Sequence, residues 1–297
     1  MEVSLSNKNN FNLAGIVPVD SQPLDFEFPW HDSLMPIGKN YLAAEKAVFD
    51  CAIAGCDTIW IVCSKDMQPL IRYRVGDYIV DPVIYHKQYR FSGTPLKKEI
   101  PIYYVPTHPK DADRRKSIPW SIITGAQAAW RVGRKLSRYT TPDQYFVAFP
   151  YGMFSSYHLS DYRTQIRKQN CFYATCEGQS FLTGEYLPFS FSPQDFLVCR
   201  KNFRSSEIKP LKKDGKTKNN RESVFNGRYF THDFIFSDID LSGANVADLS
   251  WYYNISSWDG LKNWLASENK LDKPPDFILS YNEWNPLGVE FEENEQR

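Results

Sequence analysis

SLMPIGKNYLAAEKAVFDCAIAGCDTIWIVCSKDMQPLIRYRVGD, residues 33–77, places a helix, a strand and a second helix in one run. In GKNYLAAEKAVFDCAIAG (38–55), Leu42, Ala43, Val48, Ala52 and Ile53 fall roughly on one helical face, and Gly55 supplies a stop. CDTIWIVCS (56–64) is apolar and β-branched and reads as a buried strand. MQPLIRYRVGD (67–77) predicts a short helix ended by Gly76. Strand and helix in alternation signal a parallel sheet with helices on both faces.

The same alternation extends in both directions. FNLAGIVPVD (11–20) reads as a first buried strand, and the stretch after it, with Pro23 and Pro29 and no helical period, as a long loop. EIPIYYVPT (99–107), YFVAFPYGMF (145–154) and CFYATC (171–176) read as strands. Residues 121–139, with Ile122, Ala126, Ala129, Val132 and Leu136 in a stripe, and residues 158–169 read as helices. Residues 184–203 predict a strand with alternating aromatics and then a helix. RYFTHDFIFSDIDLSG predicts a helix, ADLSWYYNI a strand and DGLKNWLASENK a helix. No repeat or composition break divides the chain, so one domain over 1–297 is expected. Residues 207–222 are polar and basic and predict a mobile surface loop; the other reading is a phosphate or nucleic-acid patch. The acidic tail, 290–297, is expected to fray.

Thirty-five basic side chains balance 35 acidic ones. Zero net charge argues against a nucleic-acid binder that works by bulk electrostatics. The N-terminal residues lack the charged and apolar segments of a signal peptide, and the apolar runs are too short to cross a bilayer. Cys51/Cys56 and Cys171/Cys176 are each five apart, which is no metal spacing. Buried thiols in a reducing cytoplasm are the expectation, with disulfides as the weaker reading.

Three segments together resemble the sugar-1-phosphate nucleotidyltransferases, the nucleotide-sugar pyrophosphorylases. In that family a Leu-Leu-Pro-hydrophobic-Gly segment leads into a helix, then Ala-Gly, an acid, branched apolars and a helix ending at Gly-Asp. Residues 33–77 repeat this order. Residues 145–154 look like the family's central strand ending in Gly-Asp. Residues 232–261 are similar to its late helix, strand and Asp-Ile-Gly-Thr-Pro-Glu-Asp loop. The resemblance implies a Rossmann-like nucleotide-diphospho-sugar transferase fold: α/β, with a mostly parallel twisted sheet and helices on both faces. It implies a nucleotide or sugar-phosphate ligand beyond the carboxyl ends of the strands, and Mg²⁺ across the reacting oxygens.

The family's chemistry uses a Gly-rich loop with Arg, a Lys before the Leu-Pro segment, and two metal-binding Asp residues. Here the loop is VDSQPLD (19–25), without Gly or Arg. The Lys position falls on Asp32, and the two Asp positions fall on Tyr151 and Asn254. Asn254 offers one weak oxygen where hard Mg²⁺ prefers carboxylates; with Asp259 it is the expected metal position.

Other candidates come from the residues themselves. His31–Asp32 forms a proton-transfer pair, a replacement metal site, or a capped turn. Arg114, Arg115 and Lys116 precede a helix start and suit a phosphate, or are a solvated charge run. Ser21 and Gln22 line the same crevice. Tyr151, Trp251, Tyr252 and Trp258 stack on a base or sugar, or simply pack the core. Two functions follow. The first is an atypical nucleotidyltransferase acting on a nucleotide or sugar phosphate. The second is a catalytically silent member of the fold that binds a protein partner. An enzyme needs charged groups such as His31, Asp32 and Asp259 to converge; a silent protein should show Tyr151 and its neighbours closing the cleft.

Overall fold

The first strand divides the core in two. In the computed structural model, which describes residues 11–20, 31–88, 98–108, 117–136, 140–205, 231–275 and 278, β1 (Leu13–Pro18) is buried along its whole length. Successive side chains of a strand point to opposite faces. Leu13 and Val17 join one apolar cluster; Ala14 and Ile16 join the other. Burial on both faces is why LAGIVP reads as an unbroken apolar run.

The described elements follow in order. A 3-10 turn (Asp32–Leu34) leads to the hairpin β2 (Pro36–Gly38) and β3 (Tyr41–Leu42), then α1 (Ala43–Ala54), β4 (Thr58–Cys63), α2 (Gln68–Val75), β5 (Tyr78–Val80), α3 (Pro82–Gln88) and β6 (Glu99–Pro106). Next come α4 (Ile118–Leu136), β7 (Gln144–Val147), β8 (Gly152–Met153), α5 (His158–Asp161), α6 (Arg163–Ile166) and β9 (Phe172–Thr175). The rest are β10 (Phe189–Phe191), α7 (Pro193–Ser205), α8 (His232–Ile235), β11 (Asn245–Asp248), β12 (Tyr253–Asn254) and α9 (Trp258–Ala266). The main sheet runs β11-β9-β10-β7-β1-β4-β6-β5. β7, β1, β4 and β6 are parallel neighbours, as are β9 and β11; β10 and the edge strand β5 are reversed. Helix α4 lies so close over the sheet that a β-carbon on Gly125 would sit 2.9 Å from both Ile16 and Val62.

Helix α1 is buried on every side, although it carries Glu45, Lys46 and Asp50. Buried charge must be paired. Glu45 accepts from the Leu42 amide at 2.8 Å and pairs with Arg74 at 2.9 Å. Lys46 Nζ lies 2.7 Å from Asp50 Oδ2, with both side chains fully inaccessible. Its aligned hydrogen bond goes to the Gly152 carbonyl at 2.8 Å, and it sits 3.3 Å over the Phe154 ring centre. Burial pushes Lys46 down and Asp50 up, each toward its neutral form.

The carboxyl end of α1 is capped from afar. Gly55 turns at φ +89°, and the Cys56 amide reaches back to the Cys51 carbonyl at 3.1 Å. Arg163 donates to the Ala52 and Ile53 carbonyls at 3.3 Å each and grips Asp81 with both terminal nitrogens. Arg167 bonds the Gly55 carbonyl, the Asp57 carboxylate and the Phe11 carbonyl. These cations complement the negative end of the helix dipole.

Several sequence expectations change in detail. The helix expected from residue 38 starts at Ala43, because the β2–β3 hairpin comes first. The single helix expected over 158–169 is two short ones, which turn Arg163 and Arg167 toward α1. The long helix expected before Gly243 is one short segment, His232–Ile235. ADLSWYYNI is two strands in different sheets, since β12 leaves the main sheet to pair with β8. All six cysteines are buried and free. Among the described residues no helix is long and apolar enough to cross a membrane. The loop at 207–222 and the tail at 290–297 lie outside the described residues.

Candidate functional site

The carboxyl ends of the parallel strands meet one end of a long helix. Val19 and Asp20 both donate their amides to the Val62 carbonyl, at 2.9 and 2.8 Å, and the Thr107 amide donates to Cys63 at 3.1 Å. Helix α4 starts beside them. Ser121 Oγ donates to the Asp20 carbonyl at 2.8 Å, and Ser117 Oγ accepts from the Trp120 amide at 3.4 Å. The first turn of α4 carries no acid. A helix N-terminus presents unpaired amides and the positive end of its dipole, which favours anions.

A second group of the sequence-predicted residues lies at the short pair β8–β12. Tyr253 faces Met153 and Asn254 faces Gly152, and the Ile255 amide donates to the Tyr151 carbonyl at 2.9 Å. The fold thus brings together two of the sequence-predicted residues, Tyr151 and Asn254. Two glycines set how closely the layers approach. A β-carbon on Gly152 would lie 2.0 Å from the Tyr186 carbonyl oxygen, and one on Gly260 would lie 1.8 Å from the Asn254 carbonyl oxygen.

Asn254 is engaged through both ends of its amide. Its Nδ2 donates to Glu185 Oε2 at 2.8 Å, and its Oδ1 accepts from the Ser256 amide at 3.0 Å. Tyr252 donates its hydroxyl to the same Glu185 oxygen at 3.0 Å and accepts from the Tyr186 amide at 2.9 Å. Burial, followed by the Glu185 charge, pushes the Tyr252 phenol up, so it stays a donor. Under this network lies His232, 4% exposed, its ring 5.4 Å from Phe149 and 5.3 Å from Tyr186, with Nε2 3.0 Å from the Glu185 carbonyl.

Burial lowers the His232 pKa and holds the ring neutral. Its contribution to stability is present above the unfolded-state value and is lost as pH falls toward the folded one. The acid limb of a melting-temperature profile is therefore expected to be shallower in His232→Phe, whose ring cannot charge. An unchanged limb would assign that loss of stability to other groups.

The remaining predicted residues are placed as follows. His31 caps the 3-10 turn: its Nδ1 accepts from the Ser33 amide at 3.2 Å and lies 2.8 Å from Ser33 Oγ. Asp32 is buried in that turn. Tyr151 is fully buried, its ring edge-on to Tyr186 at 5.6 Å. Trp251 stacks on Trp264 of α9 at 5.8 Å. Asp259 is exposed in the first turn of α9. Ser21, Gln22, Arg114, Arg115 and Lys116 lie outside the described residues.

Sequence reasoning missed Glu185, His232 as its neighbour, and Lys46. Glu185 meets Tyr252 and Asn254 across 67 and 69 residues, and nothing in LTGEYLP marks it locally. Among the described residues no group of three or more His, Cys, Asp or Glu side chains could hold a metal.

No known family profile matches the sequence, and no curated protein matches it. Solved structures do. Apo UDP-glucose pyrophosphorylase aligns with a TM-score of 0.50 at 13% identity, over 86% of this chain and 97% of that one. The fold is that of the nucleotide-diphospho-sugar transferases. UDP-glucose pyrophosphorylase complexed with UDP-glucose gives 0.48 at 13% identity, over 86% and 97%. The 4-diphosphocytidyl-2C-methyl-D-erythritol synthase of Anaerococcus prevotii gives 0.45 at 12% identity, over 86% and 95%.

Proposed function

We propose that this chain is an atypical nucleotidyltransferase-like protein that takes a nucleotide or sugar phosphate in the crevice beyond the strand ends. One observation carries the reading: the N-terminus of α4 lies against the end of β1, tied by Ser121 to the Asp20 carbonyl. Phosphate suits such an end. Arg114, Arg115 and Lys116 immediately precede it in sequence and would add charge, with Ser21, Gln22 and Trp251 as further contacts. His31 and Asp32 are the groups proposed to move a proton, and Mg²⁺ would arrive on the phosphates of the nucleotide, beside Asp259, rather than on a site of the chain's own.

The second reading, a catalytically silent binding subunit with a protein partner, is favoured by the burial of Tyr151 and by the engagement of both polar atoms of Asn254. The free thiols fit a cytoplasmic setting under either reading.

Thermal-shift titration with nucleoside triphosphates and nucleotide sugars, with and without Mg²⁺, tests the first reading. A ligand at 100 times its dissociation constant stabilises by about 2.7 kcal/mol. Arg115→Ala should weaken binding roughly tenfold, the loss of about 1.4 kcal/mol from one charged contact. No shift with any ligand would favour the silent reading. Unchanged affinity would remove Arg115 from the site.

A further inference from the structure

The fold family implies a divalent cation, and the residues at its two carboxylate positions do not fit one. Mg²⁺ and its relatives need several hard oxygen ligands, preferably anionic. Tyr151 places a phenol inside the core. Asn254 turns its NH₂ group, not its oxygen, toward the carboxylate of Glu185. That orientation is fixed by its surroundings. Reversing the amide would set its oxygen against Glu185 Oε2 and its hydrogens against the Ser256 amide, two repulsive contacts in place of two bonds. Glu185 Oε2 already accepts from Tyr252 as well. Donor hydrogens therefore point at this carboxylate oxygen from two sides, where a cation would have to approach.

We infer that the Tyr252–Glu185–Asn254 network stands in this chain where a divalent-cation centre would be, and that neutral donors organise the site without an ion. The inference rests on the chain sharing the nucleotidyltransferase site plan, but not on which ligand it binds. Aspartate at 254 would set a second carboxylate against Glu185 and turn an attractive contact into a repulsive one. A cation bridging the two would relieve that repulsion.

Electron paramagnetic resonance titration with Mn²⁺, on the intact chain without nucleotide, tests this in the wild type, Asn254→Ala and Asn254→Asp. Neither wild type nor Asn254→Ala should bind Mn²⁺ stoichiometrically. Asn254→Asp should bind one ion per chain and melt several degrees higher in millimolar Mn²⁺ than in chelator. A stoichiometric ion on the wild type that Asn254→Ala removes would overturn the inference. So would Asn254→Asp that melts like wild type in chelator and gains no ion. If Asn254→Asp is unfolded in chelator, circular dichroism during Mn²⁺ addition decides: recovery of the native spectrum supports the network's role, and no recovery refutes it. Because nucleotide is absent throughout, failure here is separate from failure of the ligand screen.

Discussion

Gly260→Ala is expected to lower stability by roughly 3 kcal/mol, at the upper end of the usual overpacking cost. Helix propensity alone points the other way, since Ala in a helix is about 1 kcal/mol better than Gly. Packing decides the sign. Gly260 lies in the first turn of α9, and its amide donates to Ser257 Oγ at 3.2 Å. The new methyl would lie 1.8 Å from the Asn254 carbonyl oxygen and 3.0 Å from its carbon. Both obstacles are backbone, in a strand paired with Gly152, so no rotamer change can clear them. Either α9 lifts or β12 moves. Urea denaturation of the purified variant gives the answer directly: equal or greater stability than wild type would mean that α9 does not rest on β12 as described.

Asp50→Ala should cost about 3–5 kcal/mol, the range for breaking a buried ion pair from one side. The Lys46 ammonium would keep the Gly152 carbonyl and the Phe154 face but lose its counter-charge in a fully inaccessible site. The double variant Lys46→Met/Asp50→Leu separates charge from packing. Removing both charges together is often neutral or stabilising, offset here by about 1 kcal/mol for the lost bond to Gly152. Chemical denaturation should therefore find the double variant more stable than Asp50→Ala alone. A single variant that loses less than the double would show that the pair is not the source of the cost.

The fold was legible where the signal is local. Residues 33–77 carry the strand–helix alternation on adjacent stretches of chain, and β1, β4 and their parallel pairing appear where that alternation places them. Local signals failed where distant groups set the outcome. YIVDPVIYH holds a three-residue edge strand and a short helix, too brief for either period to register. The segment 158–169 looks like one helix, but Arg163 and Arg167 have partners in α1, Asp57 and Asp81 that decide its path. The candidate site was half legible. Resemblance pointed to Tyr151 and Asn254, and the β8–β12 pairing makes them neighbours. Glu185 was not legible, because a carboxylate's meaning here depends on a tyrosine and an asparagine more than sixty residues away.

The two crowded glycines also make the β8–β12 pair a mechanical linkage. Gly152 leaves no slack against Tyr186, and Gly260 leaves none against Asn254. Any occupant that shifts the Asn254 backbone must carry the start of α9 with it. Trp258, 53% exposed on that first turn, would move with it, so a displacement of the Asn254 backbone is expected to be readable as a change in tryptophan fluorescence at the protein's surface.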